Sequence, residues 1–164
     1  MTNISDVPSV NYFCTNFANR NRKKIEMYPE QIVTPMRAEL SSAGFQELRT
    51  AVEVDQALNN MEGTTLVVVN SVCGCAAGSA RPGVKMAIDK AANKPTHLTT
   101  VFAGNDAEAT AQARKYFAPY PPSSPAMALF KDGKLVHFIE RHHIEGRTPQ
   151  MIAENLLMAF EQYC

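Results

Sequence analysis

The most informative segment of the chain reads Leu66-Val67-Val68-Val69-Asn70-Ser71-Val72-Cys73-Gly74-Cys75. Its first four residues are apolar, three of them are β-branched, and no polar residue interrupts them. This pattern is typical of a strand at the centre of a sheet, where helices cover both faces. Two cysteines separated by one glycine follow just beyond the end of that strand. The segment therefore predicts a buried strand that carries a pair of thiols at its carboxyl end.

The sequence on both sides of this segment alternates between helical and strand patterns. Thr50 and Glu53 have the spacing of a capping box, Thr148-Pro149 is a typical helix start, and Asp132-Gly133 is a hairpin signal. Apolar periodicity predicts helices over 29–44, 50–60, 82–91, 106–117 and from 148 onward, and strands over 45–49, 66–69, 98–103, 126–130 and 135–139.

After the N-terminal helix, the predicted order is βαβαβαββα. This alternation implies an α/β fold of three layers, in which a mostly parallel sheet lies between helices and is closed by an antiparallel C-terminal hairpin. Thioredoxin-like domains have this order. In open sheets of this kind ligands meet the carboxyl ends of the strands, and Cys73 is expected at such an end.

Composition limits the domain organisation and the partners. Residues 1–27 are polar and lack sustained apolar periodicity, so we expect a flexible arm followed by one domain over 28–164. Sixteen Lys and Arg balance sixteen Asp and Glu, so bulk charge attracts neither nucleic acid nor anionic lipid. No apolar run reaches the roughly 18 residues of a membrane span, and the N-terminus lacks the apolar core of a secretory signal. We therefore expect a cytoplasmic protein without nucleic-acid or membrane partners.

The Cys73-Gly74-Cys75 spacing favours exchange chemistry over structural bracing. A disulfide needs Cα atoms about 4.4 to 6.8 Å apart, and an extended i, i+2 pair lies at or beyond that upper limit. The backbone must bend to close the ring, and Gly74 lowers the cost of the bend because it has no Cβ. We expect residual strain in this small ring, and strained disulfides are the labile ones.

The two thiols are expected to differ in reactivity. Cys73 precedes a predicted helix, whose free N–H groups and dipole stabilise a thiolate. Cys75 is expected to lie deeper, where it could attack a mixed disulfide formed on Cys73. No metal or tightly bound cofactor is required for this chemistry.

Other interpretations of the cysteines remain open. Both could be inert buried residues, or they could form half of a zinc or iron-sulfur site. The remaining ligands would then come from Cys14, Cys164 or the adjacent histidines 142 and 143. No second pair at ligand spacing supports a metal site, and adjacent histidines in a strand would face opposite ways, so we expect a solvated strand end there.

The segment Asn70-Ser71-Val72-Cys73-Gly74-Cys75-Ala76-Ala77-Gly78 closely resembles the bacilliredoxins. The similarity continues in Val101-Phe102-Ala103-Gly104 and Pro122-Ser123-Ser124-Pro125, and it extends from about Tyr28 to Cys164. It implies a thioredoxin-like fold and removal of bacillithiol from mixed disulfides on oxidised proteins, with Cys73 attacking and Cys75 resolving. Bacillithiol would be the co-substrate, and oxidised client proteins and a low-molecular-weight thiol would be the partners. Disulfide isomerase activity is also attributed to such proteins.

The same resemblance singles out Pro125 as the counterpart of the cis-proline that faces the cysteines in thioredoxin-like proteins. A proline cannot donate to the sheet ladder, so the turn can leave backbone groups of Ser124 free to pair with an incoming peptide or thiol. We therefore assign Gly74, Ser124 and Pro125 as expected substrate contacts. An ordinary proline at a strand entry is the alternative.

Overall fold

A computed structural model describes residues 28–59 and 62–164. The described elements follow in the order α1 (Glu30–Ser41), β1 (Gln46–Glu47), α2 (Ala51–Leu58), β2 (Thr64–Asn70), α3 (Arg81–Lys90), β3 (His97–Phe102), α4 (Ala107–Tyr116), β4 (Ala126–Lys131), β5 (Lys134–Ile139), α5 (Arg141–Ile144) and α6 (Pro149–Tyr163). The expected arm over residues 1–27 lies outside the described residues.

The five strands form one open sheet in the order β1-β3-β2-β4-β5. Strands β1, β3 and β2 are parallel, whereas β4 runs antiparallel to β2 and β5 antiparallel to β4. The sheet is therefore mixed, and the hairpin forms one of its edges without closing it into a barrel. The three-layer α/β fold predicted from the sequence is confirmed.

Strand β2 lies at the centre of the molecule, as its uninterrupted apolar run predicted. Leu66 and Val68 face a core built with α1, α3 and α6, and Val67 and Val69 face a second core built with α2 and α4. All seven residues of β2 are buried. Because both faces of the strand are covered, hydrophobic burial holds β2 and the loop that follows it in a fixed position.

Local sequence signals account for three of the described helix ends. The Thr50 hydroxyl accepts the Glu53 N–H, and the Glu53 carboxylate accepts the Thr50 N–H, which completes the predicted capping box. Thr148 caps α6 in the same way through the Met151 N–H. Gly44, with a φ of +91°, ends α1 in a conformation that favours glycine.

The helix after the cysteines begins earlier than its predicted start at Pro82. Ala76 and Ala77 already donate their N–H groups to the Cys73 carbonyl, and a π-helical turn spans Ala76–Ala80 before α3. The Arg81 N–H bonds to the Ala76 carbonyl, five residues back. Pro82 has no N–H to continue an α-helical ladder, which accounts for a wider turn just before it.

Two other predictions are wrong in detail. Strand β1 is shorter than the predicted 45–49 and pairs only at Gln46 and Glu47. His142 and His143 lie in the short helix α5, not at a strand end, and their ring centroids are 3.8 Å apart. The alternation of side chains between the two faces of a strand therefore does not describe these two histidines. Both side chains are exposed, as expected. None of the described helices has the length and apolar character needed to cross a membrane.

Candidate active site

The paired cysteines lie at the carboxyl end of β2, where the chain turns into the next helix. Cys73 and Cys75 are half-buried free thiols, and their sulfur atoms are 2.6 Å apart. The Cys73 sulfur also accepts the Ala76 N–H at 3.4 Å and the Ser71 hydroxyl at 3.3 Å. The helical turn that starts at Cys73 thus brings the two sulfurs together and aims backbone and side-chain donors at only one of them.

These contacts shift the pKa values of the two thiols in opposite directions. Burial alone would raise the pKa of Cys73, but hydrogen bonds from Cys75, Ser71 and the Ala76 N–H outweigh it, so that pKa lies below its ordinary value. Burial, the hydrogen bond donated to Cys73 and the negative charge on Cys73 all raise the pKa of Cys75. Cys73 therefore ionises first, and Cys75 keeps its proton while Cys73 is a thiolate.

A cation from a distant part of the sequence also acts electrostatically on the thiols. The positive charge of Arg141 works to lower the pKa of Cys75, and the cysteines in turn raise the pKa of Arg141 after the larger effect of Glu145. Arg141 pairs with Glu145 at 2.8 Å, and its N–H donates to the Ser123 hydroxyl at 2.7 Å. Strand β5 runs parallel to β2 and ends at the same edge of the sheet, so α5 begins beside the cysteines.

The residues predicted to contact substrate, Gly74, Ser124 and Pro125, lie at that same end of the sheet, where β2 ends. Ala126, the first residue of β4, pairs with Val69 near the end of β2, so Pro125 lies level with the start of the cysteine loop. The Ser124–Pro125 peptide bond is cis, as the resemblance implied. Pro125 is buried, Ser124 is half-buried and Gly74 is exposed. The Ala118–Pro119 bond is also cis, which no sequence feature predicted.

Cys164, one of the other candidate ligands, lies away from the thiols. The Tyr163 carbonyl accepts the Lys131 side chain, and Lys131 pairs with Thr64 at the opposite edge of the sheet, so Cys164 lies far from Cys73. Within residues 28–59 and 62–164, no three His, Cys, Asp or Glu side chains form a group that could hold a metal ion. Cys14, the other proposed ligand, lies outside the described residues.

Sequence reasoning missed two residues of the site, Ser71 and Arg141. Ser71 follows a central strand two residues before Cys73, a position that could have indicated a donor to that sulfur. Arg81 is close to the cysteines in sequence, but its guanidinium contacts the end of β2 and not the thiols. Arg141 lies far from the cysteines in sequence, and only the pairing of β4 and β5 brings it to the end of the sheet where Cys73 lies.

The fold and its pair of unequal thiols define a thiol-disulfide oxidoreductase. The sequence model of the family described as "Disulphide isomerase" matches residues 28–164. A bacilliredoxin of Cytophaga hutchinsonii is 59% identical over 136 residues, 83% of this chain and 99% of that protein. A bacilliredoxin of Geobacillus kaustophilus is 57% identical over 139 residues, 85% of this chain and 96% of its own. The chain belongs to the bacilliredoxin family.

A solved structure supports the fold independently. Oxidised thioredoxin O2 from Arabidopsis thaliana superposes with a TM-score of 0.50 and covers 74% of this chain and 95% of its own length. The two sequences are 18% identical, so this likeness concerns the fold alone.

The opposed pKa shifts predict selective alkylation. The thiolate is the reactive form, so iodoacetamide is expected to modify Cys73 with a pH midpoint below the roughly 8.5 of a free thiol. Cys75 should react at a higher pH, because ionised Cys73 disfavours a second negative charge. Both pH midpoints are measured by timed alkylation of the reduced protein between pH 5 and 10. Fragmentation of the labelled protein then shows which cysteine carries the label. Equal midpoints, or earlier labelling of Cys75, would contradict the assignment.

Proposed function

We propose that this protein removes bacillithiol from mixed disulfides on oxidised client proteins, with Cys73 attacking and Cys75 resolving. The observation that carries the proposal is the contact between two thiols whose pKa values move in opposite directions. An attacking thiol must be ionised, and a second thiol that keeps its proton until a mixed disulfide has formed does not compete with it for the substrate. The choice of bacillithiol is supported by the similarity to proteins named bacilliredoxin.

The exchange consists of two balanced steps. The Cys73 thiolate attacks the bacillithiol sulfur, the new bond joins Cys73 to bacillithiol, and the client leaves as a thiolate. Loss of the negative charge on Cys73 removes one cause of the raised pKa of Cys75. Cys75 then loses its proton and attacks the Cys73 sulfur, which forms the Cys73–Cys75 disulfide and releases bacillithiol as a thiolate. Two equivalents of an external thiol, or one dithiol, must supply the two electrons that restore both cysteines, and they are themselves oxidised to a disulfide.

The proposed substrate contacts are Gly74, Ser124 and Pro125. Gly74 is exposed between the two thiols, so a bound disulfide can approach Cys73 without meeting a Cβ atom there. Ser124 and Pro125 precede β4 at the end of the sheet where β2 ends, with Ser124 half-buried and Pro125 buried. We assign the Ser124 backbone the role of pairing with the incoming substrate.

The proposed partners are oxidised client proteins and a low-molecular-weight thiol, with bacillithiol as co-substrate and no tightly bound cofactor. We place the reaction in the cytoplasm, and we propose no nucleic-acid or membrane partner. Such a reaction needs a reducing compartment, because the Cys73–Cys75 disulfide must be reopened after each cycle.

Protein disulfide isomerase or general reductase activity is the second candidate function. The description of the matching family, "Disulphide isomerase", favours it. An isomerase would also use a reactive thiol like Cys73, but its substrates would be disulfides between protein cysteines.

A competition between mixed disulfides separates the two functions. One client protein is loaded at a single cysteine with bacillithiol, glutathione or cysteine, and release is followed by mass spectrometry. We expect bacillithiol to be released at least about tenfold faster than glutathione or cysteine. This difference corresponds to an activation free energy that is lower by about 1.4 kcal/mol. Equal release of all three thiols, together with rapid recovery of a protein with scrambled disulfides, would instead establish the isomerase or general reductase.

A further inference from the structure

A buried arginine lies directly behind the active-site loop. Arg81 begins α3, and its side chain is only 2% exposed. Its Nη1 donates to the Asn70 side-chain oxygen at 3.1 Å and to the Ser71 carbonyl at 3.0 Å, and its Nε donates to the Glu39 carboxylate at 2.9 Å. One guanidinium thereby connects α3, α1 and the end of β2.

This arrangement is specific to arginine. A buried charge is costly unless it is paired and hydrogen-bonded, and Glu39 supplies the opposite charge while the end of β2 supplies two neutral acceptors. The planar guanidinium reaches both sides at once, which a single ammonium group cannot do. The Glu39 side chain is 41% exposed, so Glu39 by itself does not require a buried partner.

The acceptors of Arg81 hold the residue that touches the reactive sulfur. The Ser71 N–H donates to the Asn70 side-chain oxygen at 2.8 Å, and the Ser71 carbonyl accepts from Arg81, so both backbone groups of Ser71 are held. The Asn70 side chain is itself held by the Met36 carbonyl at 3.1 Å. The Ser71 hydroxyl then donates to the Cys73 sulfur at 3.3 Å.

We propose that Arg81 is a positioning residue for the reactive thiol, fixing Asn70 and Ser71 so that the Ser71 hydroxyl donates to the Cys73 sulfur. Arg81 touches neither sulfur in this arrangement, and its effect is transmitted through one backbone carbonyl and one side-chain amide. The inference rests on Cys73 being the attacking thiol of the proposed function. It does not depend on which small thiol or client the protein accepts.

The test measures ionisation of Cys73 directly. In a Cys75→Ser background, so that one thiol of the pair remains, the rate of Cys73 alkylation by iodoacetamide is recorded against pH. We expect Arg81→Met to move the midpoint upward by about one pH unit, the size expected for loss of a hydrogen bond to a charged group. Arg81→Lys should give a smaller upward shift, because the ammonium cannot hold both acceptors while pairing with Glu39.

Two controls separate positioning from general destabilisation. Ser71→Ala should raise the midpoint as Arg81→Met does, and adding Arg81→Met to Ser71→Ala should raise it no further. Arg37 is a matched buried arginine, 4% exposed and paired with Asp106, but it makes no contact with Ser71 in the described hydrogen bonds. Arg37→Met should lower the melting temperature and leave the midpoint unchanged.

Several outcomes would overturn the proposal. An unchanged pH midpoint of Cys73 alkylation in Arg81→Lys would overturn the proposal. This result can be obtained even if Arg81→Met does not fold. Additive shifts in the double variant, or an equal shift in Arg37→Met, would show that Arg81 does not act through Ser71. Because the assay contains no bacillithiol and no client protein, its result is independent of substrate identity. Loss of bacillithiol preference with a normal pH profile would count against the proposed function only.

Discussion

Cys73→Ser is expected to abolish release of bacillithiol from a client protein, whereas Cys75→Ser is expected to trap it on the enzyme. A serine hydroxyl at position 73 is not ionised near neutral pH and cannot form a disulfide. With Cys73 present and Cys75 absent, the first exchange proceeds and the mixed disulfide accumulates. Cys75→Ser should then turn over only when an external thiol is added.

Intact-protein mass spectrometry measures this difference, because bacillithiol bound to Cys73 adds a defined mass. The matched control is Cys164→Ser, which removes an exposed thiol at the opposite edge of the sheet. It should retain full activity and trap nothing. Trapping on Cys75 in the Cys73→Ser protein, at the rate seen for Cys73, would reverse the order of attack.

The same variants test the metal-binding alternative. A zinc or iron-sulfur site would use both sulfurs as equivalent ligands, so either serine variant would lose metal and neither would trap a mixed disulfide selectively. Metal content of the protein purified under reducing conditions gives an independent measurement. Stoichiometric metal, lost equally in both variants, would contradict the exchange mechanism.

Gly83→Ala is expected to be the most destabilising conservative substitution in the helices that support the site. A Cβ at Gly83 would lie 2.7 Å from the Ile152 Cβ and 2.9 Å from the Pro149 carbonyl oxygen, a backbone atom. Helices α3 and α6 must then separate, and overpacking of this kind costs about 1–3 kcal/mol. For a chain of this size we expect the melting temperature to fall by about 2–12 °C.

Gly78→Ala is the matched control, because a Cβ at that exposed position meets no atom within 4 Å. Alanine favours helix by up to about 1 kcal/mol over glycine, so the melting temperature should stay the same or rise. Ile152→Gly combined with Gly83→Ala should be less destabilising than the sum of the single variants, since glycine removes the Ile152 Cβ that the new methyl group would meet. Equal melting temperatures for Gly78→Ala and Gly83→Ala would show that α3 and α6 are not packed this closely.

The sequence predicted the central strand and the reactive pair because their signals are local. An unbroken apolar run indicates burial on both faces wherever the strand lies in the sheet. The spacing of Cys73 and Cys75 restricts their geometry whatever surrounds them. Caps such as Thr50 with Glu53 act within one helical turn, and they also appear in the structure as predicted.

Only the tertiary structure decided which donors and charges face the thiols. Strand β4 lies antiparallel beside β2, so its start and the end of β5 arrive at the edge where Cys73 lies. The charge of Arg141 therefore acts on the pKa of Cys75, nearly seventy residues away in sequence. Arg81 donates to the Ser71 carbonyl only because the π-helical turn and α3 pack against α1 and β2. These contacts depend on how strands pair and helices pack across the whole domain, and no periodicity in neighbouring residues encodes that pairing. For this reason the sequence alone predicted which sulfur atoms react, while the packing determined which donors and charges shift the pKa of each one.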